Sequence, residues 1–257
     1  MWIDTPDMST DTFNLTLALA DDALVLAHRL SEWSGQAPTL EDDIALSNLG
    51  LDLIGQARAF YAYAAELEGK GRDEDDLAYF RDARAFTNCL LVEQPNGDFA
   101  VTITRQFLFA VFMRDYYAAL AGSKDARLAD VAGKAVKEMT YHVRHAGEWI
   151  VRLGDGTPES RSRMLAALDD LWTYTGELFE MSASERTLVA AGVAPDRAAL
   201  KANWDALVAR VLKQATLPVP EKRYMQTGGR TGQHTEHLGP MLAEMQVLAR
   251  AHPDAVW

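Results

Sequence analysis

KAVKEMTYHVRHAGEW, residues 134–149, places Ala135, Met139, His142, Ala146 and Trp149 at steps of four and three. That is the spacing of a helix laying one seam into a core. Glu138 flanks the seam and His142 follows one turn later. A carboxylate and an imidazole aimed into a helical bundle are the raw material of a carboxylate-bridged metal site. A di-iron bundle, however, takes its paired ligands as Glu-x-x-His. Here the position three after Glu138 is Tyr141, and the histidine comes at four.

An earlier stretch repeats this pattern in weaker form. Asp52 flanks the seam Leu49, Leu53, Gln56, Phe60 as Glu138 flanks its own, and Gln56 stands where the other half has His142. Two related half-sites predict a bundle of the ferritin-like kind, in which the other two long helices each add one carboxylate. Asp22 suits the first helix; between Phe99 and Leu120 there is no glutamate, only Asp115. The set Asp22, Asp52, Glu138, His142 therefore reads as a degenerate metal site that holds no metal. Cations take the metal's place in this reading, because an unpaired buried carboxylate is severely unfavourable. Arg29, Arg105, Arg114 and Lys134 are the candidates.

The rest of the chain supports an all-α fold. At 257 residues and 48% apolar content it can bury a large core, and one cysteine, Cys89, allows no intrachain disulfide. No apolar run reaches the ~18 residues of a membrane span, and MWIDTPDMST lacks a secretory pattern, so a cytoplasmic protein is expected. A net charge of −12 argues against nucleic acid as a partner. Helices are predicted over 12–33 and 39–68, with Thr39 as N-cap and Glu41, Asp42 and Asp43 in the first turn. Further helices are predicted over 77–92, 99–120, 124–153, 158–180, 184–192, 196–215 and 234–251. Residues 1–11 read as a disordered extension and 12–257 as one domain with additional C-terminal helices.

Five stretches carry a resemblance: DIALSNLGLDLIGQAR (43–58), LLVEQPNGDFA (90–100), KAVKEMTYHVRH (134–145), LWTYTGELF (171–179) and TGGRTGQHTEHLGPMLAEMQ (227–246). They resemble the family of structural, non-catalytic C-type subunits of bacterial phenylacetyl-CoA epoxidase, the ring 1,2-phenylacetyl-CoA oxygenase. The resemblance implies a ferritin-like fold and a cytoplasmic hetero-oligomer with a homologous catalytic subunit that carries the di-iron centre. It also implies a separate reductase, small accessory subunits and an O₂- and NADPH-dependent epoxidation of the aromatic ring of phenylacetyl-CoA in phenylacetate catabolism. This chain would bind no cofactor and supply no catalytic residue.

An acyl-CoA at or near the subunit interface needs cations for its phosphates. In FRDARAFTN (80–88), Arg81 and Arg84 offer charge, Phe86 could pack on adenine, and Thr87 and Asn88 can hydrogen-bond; Arg186, near a helix start, is a second candidate. Two rival readings are a stand-alone di-iron or di-manganese oxidase using Glu138 and His142, and a zinc site at His234, Glu236 and His237. The glycines of TGGRTG match no phosphate-binding P-loop, which ends in Gly-Lys-Ser/Thr.

Overall fold

The computed structural model describes residues 8–221 and 224–255. Among them ten α-helices follow in order: α1 (Met8–Ser31), α2 (Leu40–Glu68), α3 (Glu74–Tyr79), α4 (Leu90–Glu93), α5 (Phe99–Leu120), α6 (Ala126–Gly154), α7 (Pro158–Trp172), α8 (Ala183–Ala191), α9 (Lys201–Gln214) and α10 (Leu238–Ala251). No strand occurs among the described residues. Of the expected N-terminal extension, residues 1–7 lie outside the described residues; Met8 already opens α1, four residues before the predicted start.

The caps follow local chemistry. Thr39 Oγ1 accepts the Asp42 N–H at 3.2 Å and opens α2, and Gly69, at φ +65°, closes it in the left-handed conformation. Asp98 and Asp125 cap α5 and α6 in the same way. Helices α1 and α2 form one hairpin, α5 and α6 the other, and the long connection 69–98 crosses between them. Two antiparallel hairpins joined by one crossover are the ferritin-like arrangement. Side-chain pairs between α2 and α6 (Asp52 with His142, Gln56 with Glu138) show these two helices to be antiparallel as well.

The later helices add a layer rather than a second core. Trp204 on α9 is 1% exposed, packs on Trp172 and Phe179, and donates its indole N–H to the Leu108 carbonyl at 3.0 Å. That bond fixes α9 on α5.

The crossover departs from expectation. The apolar run 77–92 predicts one helix, yet only α3 and the single turn α4 are α-helical, with a 3-10 turn at 83–85. The backbone between them is extended at Phe86 and Cys89, because its N–H groups are claimed from elsewhere. Thr87 N–H goes to Asp21 (2.8 Å), Cys89 N–H to Asp22 (2.7 Å) and Leu90 N–H to Glu177 (2.7 Å). A charged acceptor outbids a helical carbonyl for an amide. For a similar reason α10 starts at Leu238 and not at 234: Glu93 and Glu177 capture amides of residues 228–235.

Residues 224–237 lie against this extended stretch, closely enough to require glycine. A β-carbon on Gly229 would collide with the Asn88 carbonyl oxygen, and one on Gly232, which also sits at φ +74°, with the Arg84 carbonyl. By contrast, Gly133 in the interior of α6 has open space around it. Gly229→Ala should therefore lower stability by about 2–4 kcal/mol, while Gly133→Ala should raise it by about 0.5–1 kcal/mol. Denaturant titration of both variants checks this; an unchanged midpoint for Gly229→Ala would contradict the close approach.

Candidate functional site

The four long helices bring together part of the expected ligand set. His142 is fully buried on α6; its Nδ1 faces the Gln106 amide of α5 at 3.0 Å and its Nε2 faces Asp52 of α2 at 3.3 Å. Since the Gln106 Nε2–H donates to Nδ1, the ring N–H lies at Nε2, toward the carboxylate. One turn along, Glu138 accepts the Gln56 amide at 2.8 Å, and Gln56 in turn accepts the Tyr117 hydroxyl at 3.2 Å. This network thus joins two acids, two primary amides, a phenol and one imidazole from α2, α5 and α6.

This donor set does not fit a two-metal centre. Bridging a pair of irons needs four carboxylates and two histidines from the four helices. Here amides stand at Gln56 and Gln106, and Asp22, on α1, is committed to a different partner. Among the described residues no three His, Cys, Asp or Glu side chains converge as a metal site.

The expected cations are not those found. Arg105 is fully buried but donates to the Gln94 carbonyl and to Asn96 Oδ1, with no carboxylate paired to it among the described residues; burial, aided by Arg29, lowers its pKa to about 9. Arg114 pairs with its neighbour Asp115, Lys134 is exposed, and Arg29 holds the Glu93 and His237 carbonyls and Glu32. Glu138 therefore sits in a neutral amide network, half-buried. Its loss should cost about 1 kcal/mol, as for an ordinary hydrogen bond, and not the larger figure of a broken buried ion pair.

The buried charge is elsewhere. Asp21 and Asp22 are adjacent on α1 and both fully buried. Asp21 accepts from Tyr61 Oη (2.6 Å), from both Thr87 donors and from the Arg81 guanidinium. Asp22 accepts from Cys89 N–H and, at 2.6 Å, from Arg230 Nη2. Burial opposes the charge on both partners and pushes the Asp22 carboxyl up, but the carboxylate outweighs burial at Arg230, whose pKa is raised. Glu177 Oε1 accepts the Gly228 and Arg230 amides.

Glu93, also fully buried, completes the set. It accepts from Asn88 Nδ2 (2.8 Å), Thr235 N–H (2.7 Å), Thr235 Oγ1 (2.8 Å) and His234 Nδ1 (2.7 Å). His234 Nε2 lies 2.9 Å from the Phe86 carbonyl. Both ring nitrogens thus face acceptors, a geometry only the doubly protonated imidazolium satisfies. Burial lowers the pKa of this ring, yet the bonds to Glu93 and Phe86 prevail and it is raised.

These contacts relocate most of the expected phosphate-binding residues. Arg81 is 6% exposed and lies 4.2 Å over the Phe86 ring, with its guanidinium spent on Asp21, Tyr61 and the Ala85 carbonyl. Phe86 and Asn88 are fully buried, so neither reaches a ligand at the surface, and Thr87 is turned to Asp21. Arg84 alone of that run is an exposed cation, on the wall of an open cleft of about 660 Å³ shared with residues 231–236 and Gly239. Arg186 is exposed too and caps the Met181 carbonyl. The zinc alternative dissolves: His234 is engaged at both nitrogens, and the Glu236 side chain is 85% exposed, 3.9 Å from His237. Cys89 is buried with its thiol pKa well above the ordinary value, because of burial first and Asp22 second, which makes it a poor nucleophile.

Sequence reasoning does not single out Asp21, Glu93, Glu177, Arg230 and His234 in these roles. The available signal for the first is an acidic pair inside an apolar helical run, LTLALADDALVLA.

The sequence profile of the phenylacetic acid catabolic protein family matches residues 4–257. The C component of 1,2-phenylacetyl-CoA epoxidase from Escherichia coli (strain K12) is 50% identical over 242 residues, covering 94% of this chain and 97% of that protein. Among the described residues no helix is long and apolar enough to cross a membrane.

The His234 geometry sets a pH dependence. Its folded pKa is raised above 6.5, so the stabilisation is complete below about pH 6.5 and is lost as pH rises through the folded value. In thermal melts, the stability gap between the native chain and His234→Gln should be widest below pH 6.5 and should narrow toward pH 9. A gap independent of pH would contradict the imidazolium.

Proposed function

This chain belongs to the phenylacetic acid catabolic protein family, and from that premise we propose that it is the structural, non-catalytic subunit of a multicomponent di-iron monooxygenase that epoxidises the aromatic ring of phenylacetyl-CoA. The observation that carries the reading is the identity of the inward groups. Gln56, Gln106 and Tyr117 occupy the bundle interior where an oxidase needs carboxylates, and each is bonded to a residue of the expected ligand set or to another group of that network. A neutral amide or phenol supplies none of the negative charge that carboxylates bring to a two-iron centre, and an amide does not titrate during turnover.

On this reading the di-iron centre belongs to a homologous catalytic subunit, reduced by a separate reductase, with small accessory subunits in the assembly. The contribution of this chain is a rigid helical surface. The 50% identity to a protein named as an epoxidase component supports the assignment, as it extends through both hairpins and the C-terminal layer. For the acyl-CoA, the one contact of the 80–88 run that keeps an exposed cation is Arg84. Replacing it with alanine should weaken binding of the CoA thioester to the complex by about tenfold, the loss of one charge-assisted hydrogen bond; unchanged affinity would remove Arg84 from the site.

The test of the non-catalytic assignment is turnover of the reconstituted complex carrying Glu138→Ala or Asp52→Asn. Once corrected for the amount assembled, kcat should stay within about twofold of the native value. A complex that assembles normally with either variant and has lost turnover would overturn the assignment and favour the di-iron oxidase.

A further inference from the structure

The C-terminal loop meets the crossover through an ionised ring. His234 Nδ1 lies 2.7 Å from Glu93 Oε2 and Nε2 lies 2.9 Å from the Phe86 carbonyl, with the side chain 6% exposed. A neutral ring keeps one N–H. If it stays on Nδ1, the Nε2 lone pair confronts the carbonyl; if it moves to Nε2, the Nδ1 lone pair confronts the carboxylate. Water cannot relieve either conflict while the ring stays in place, and a buried acceptor left without its donor is destabilising. Glu93 loses as well, since its remaining donors, Asn88 Nδ2 and the Thr235 amide and hydroxyl, are all neutral. Among the described residues this fully buried carboxylate is then left without a cation.

The anchors on either side of the ring do not depend on an imidazole. Upstream, Arg230 is paired with Asp22, and the Gly228 and Arg230 amides sit on Glu177. Downstream, Arg29 Nη2 holds the His237 carbonyl at 3.2 Å and α10 begins at Leu238. Between them, Thr231 and Gln233 bond back to the Gly228 carbonyl. Among the described residues, the hydrogen bonds from 231–236 to the rest of the fold run through the His234 ring and from Thr235 to Glu93. These same six residues form one wall of the cleft of about 660 Å³ that faces Ala83 and Arg84. The acids near the ring are Glu93 on α4, Asp21 on α1 and the neighbouring Glu236. The cations are Arg29 on the Glu93 carbonyl, Arg81 against Phe86 and Arg84 across the cleft, and His237 is a second titratable ring three residues on.

We propose that the proton on His234 is a lock that holds segment 231–236 against the crossover, so that its loss frees this wall of the cleft while the anchors on both sides stay closed. An ion-paired imidazolium is retained below its folded pKa and lost above it, so the wall is closed at low pH. The opening is local and precedes any unfolding of the bundle. The test is amide hydrogen exchange of the full-length chain from about pH 6 to about pH 9, with each rate corrected for intrinsic exchange. Protection of Gln233 and Thr235 should fall at least tenfold over that range, one bound proton giving up to about tenfold per pH unit, while α5 and α6 keep theirs. In His234→Gln, protection of the same amides should be low and independent of pH; in His237→Gln it should follow the native profile. Protection of 231–236 that does not change with pH, or that falls in step with α5 and α6, would overturn the proposal. So would a native-like profile in His234→Gln or a flat one in His237→Gln, since another group would then be the one titrating.

Discussion

The contact between Asp22 on α1 and Arg230, 208 residues later, is the constraint on which the outer half of this bundle is built. Both groups are withdrawn from water, and a buried charge is tolerable only when paired and fully hydrogen-bonded. The remaining Asp22 oxygen therefore takes the Cys89 amide, and the other Arg230 guanidinium nitrogen takes the Thr87 carbonyl at 3.0 Å. Asp21, Glu93 and Glu177 extend the same logic: each acid sits on a regular or tightly turned element and draws backbone amides from the two irregular segments. The crossover and the C-terminal loop are thereby held in extended form, with glycines where their backbones meet. Removing one partner would leave an uncompensated charge, at a cost of about 3–5 kcal/mol, more than the intact pair contributes.

This use of acids also bears on the proposed loss of metal binding. A ferritin-like metal site needs a carboxylate from the first helix aimed at the second, third and fourth. In this chain Asp21 and Asp22 are spent on Arg81 and Arg230 instead. Facing them across the interior are groups that satisfy one another without charge: Gln56 with Glu138 and Tyr117, and Gln106 with His142. Such a network specifies helix register, since each amide has a partner at one level only.

What is legible in the sequence follows the range of the forces involved. The α2 boundaries can be read within a residue, because Thr39, three acids and Gly69 act locally on the chain end they cap. The α2 and α6 seams are legible from periodicity, and so is the meeting of their two half-sites, whereas the partner of Glu138 is not: the amide of Gln56 stands where a cation is expected. The run 77–92 misleads because its helix is broken by acids on α1 and near residue 177, distant in sequence. The glycines of TGGRTG look like a faint phosphate loop, whereas the structure uses Gly229 and Gly232 for close backbone approach.

Whether this chain's inward residues can hold a pair of irons is decided most directly by iron content, measured after the purified chain, free of any catalytic partner, is incubated anaerobically with ferrous iron and desalted. Iron far below one equivalent per chain is predicted, with no new absorption after exposure to air. Retention near two per chain, lost on Glu138→Ala or His142→Ala, would contradict the non-catalytic assignment.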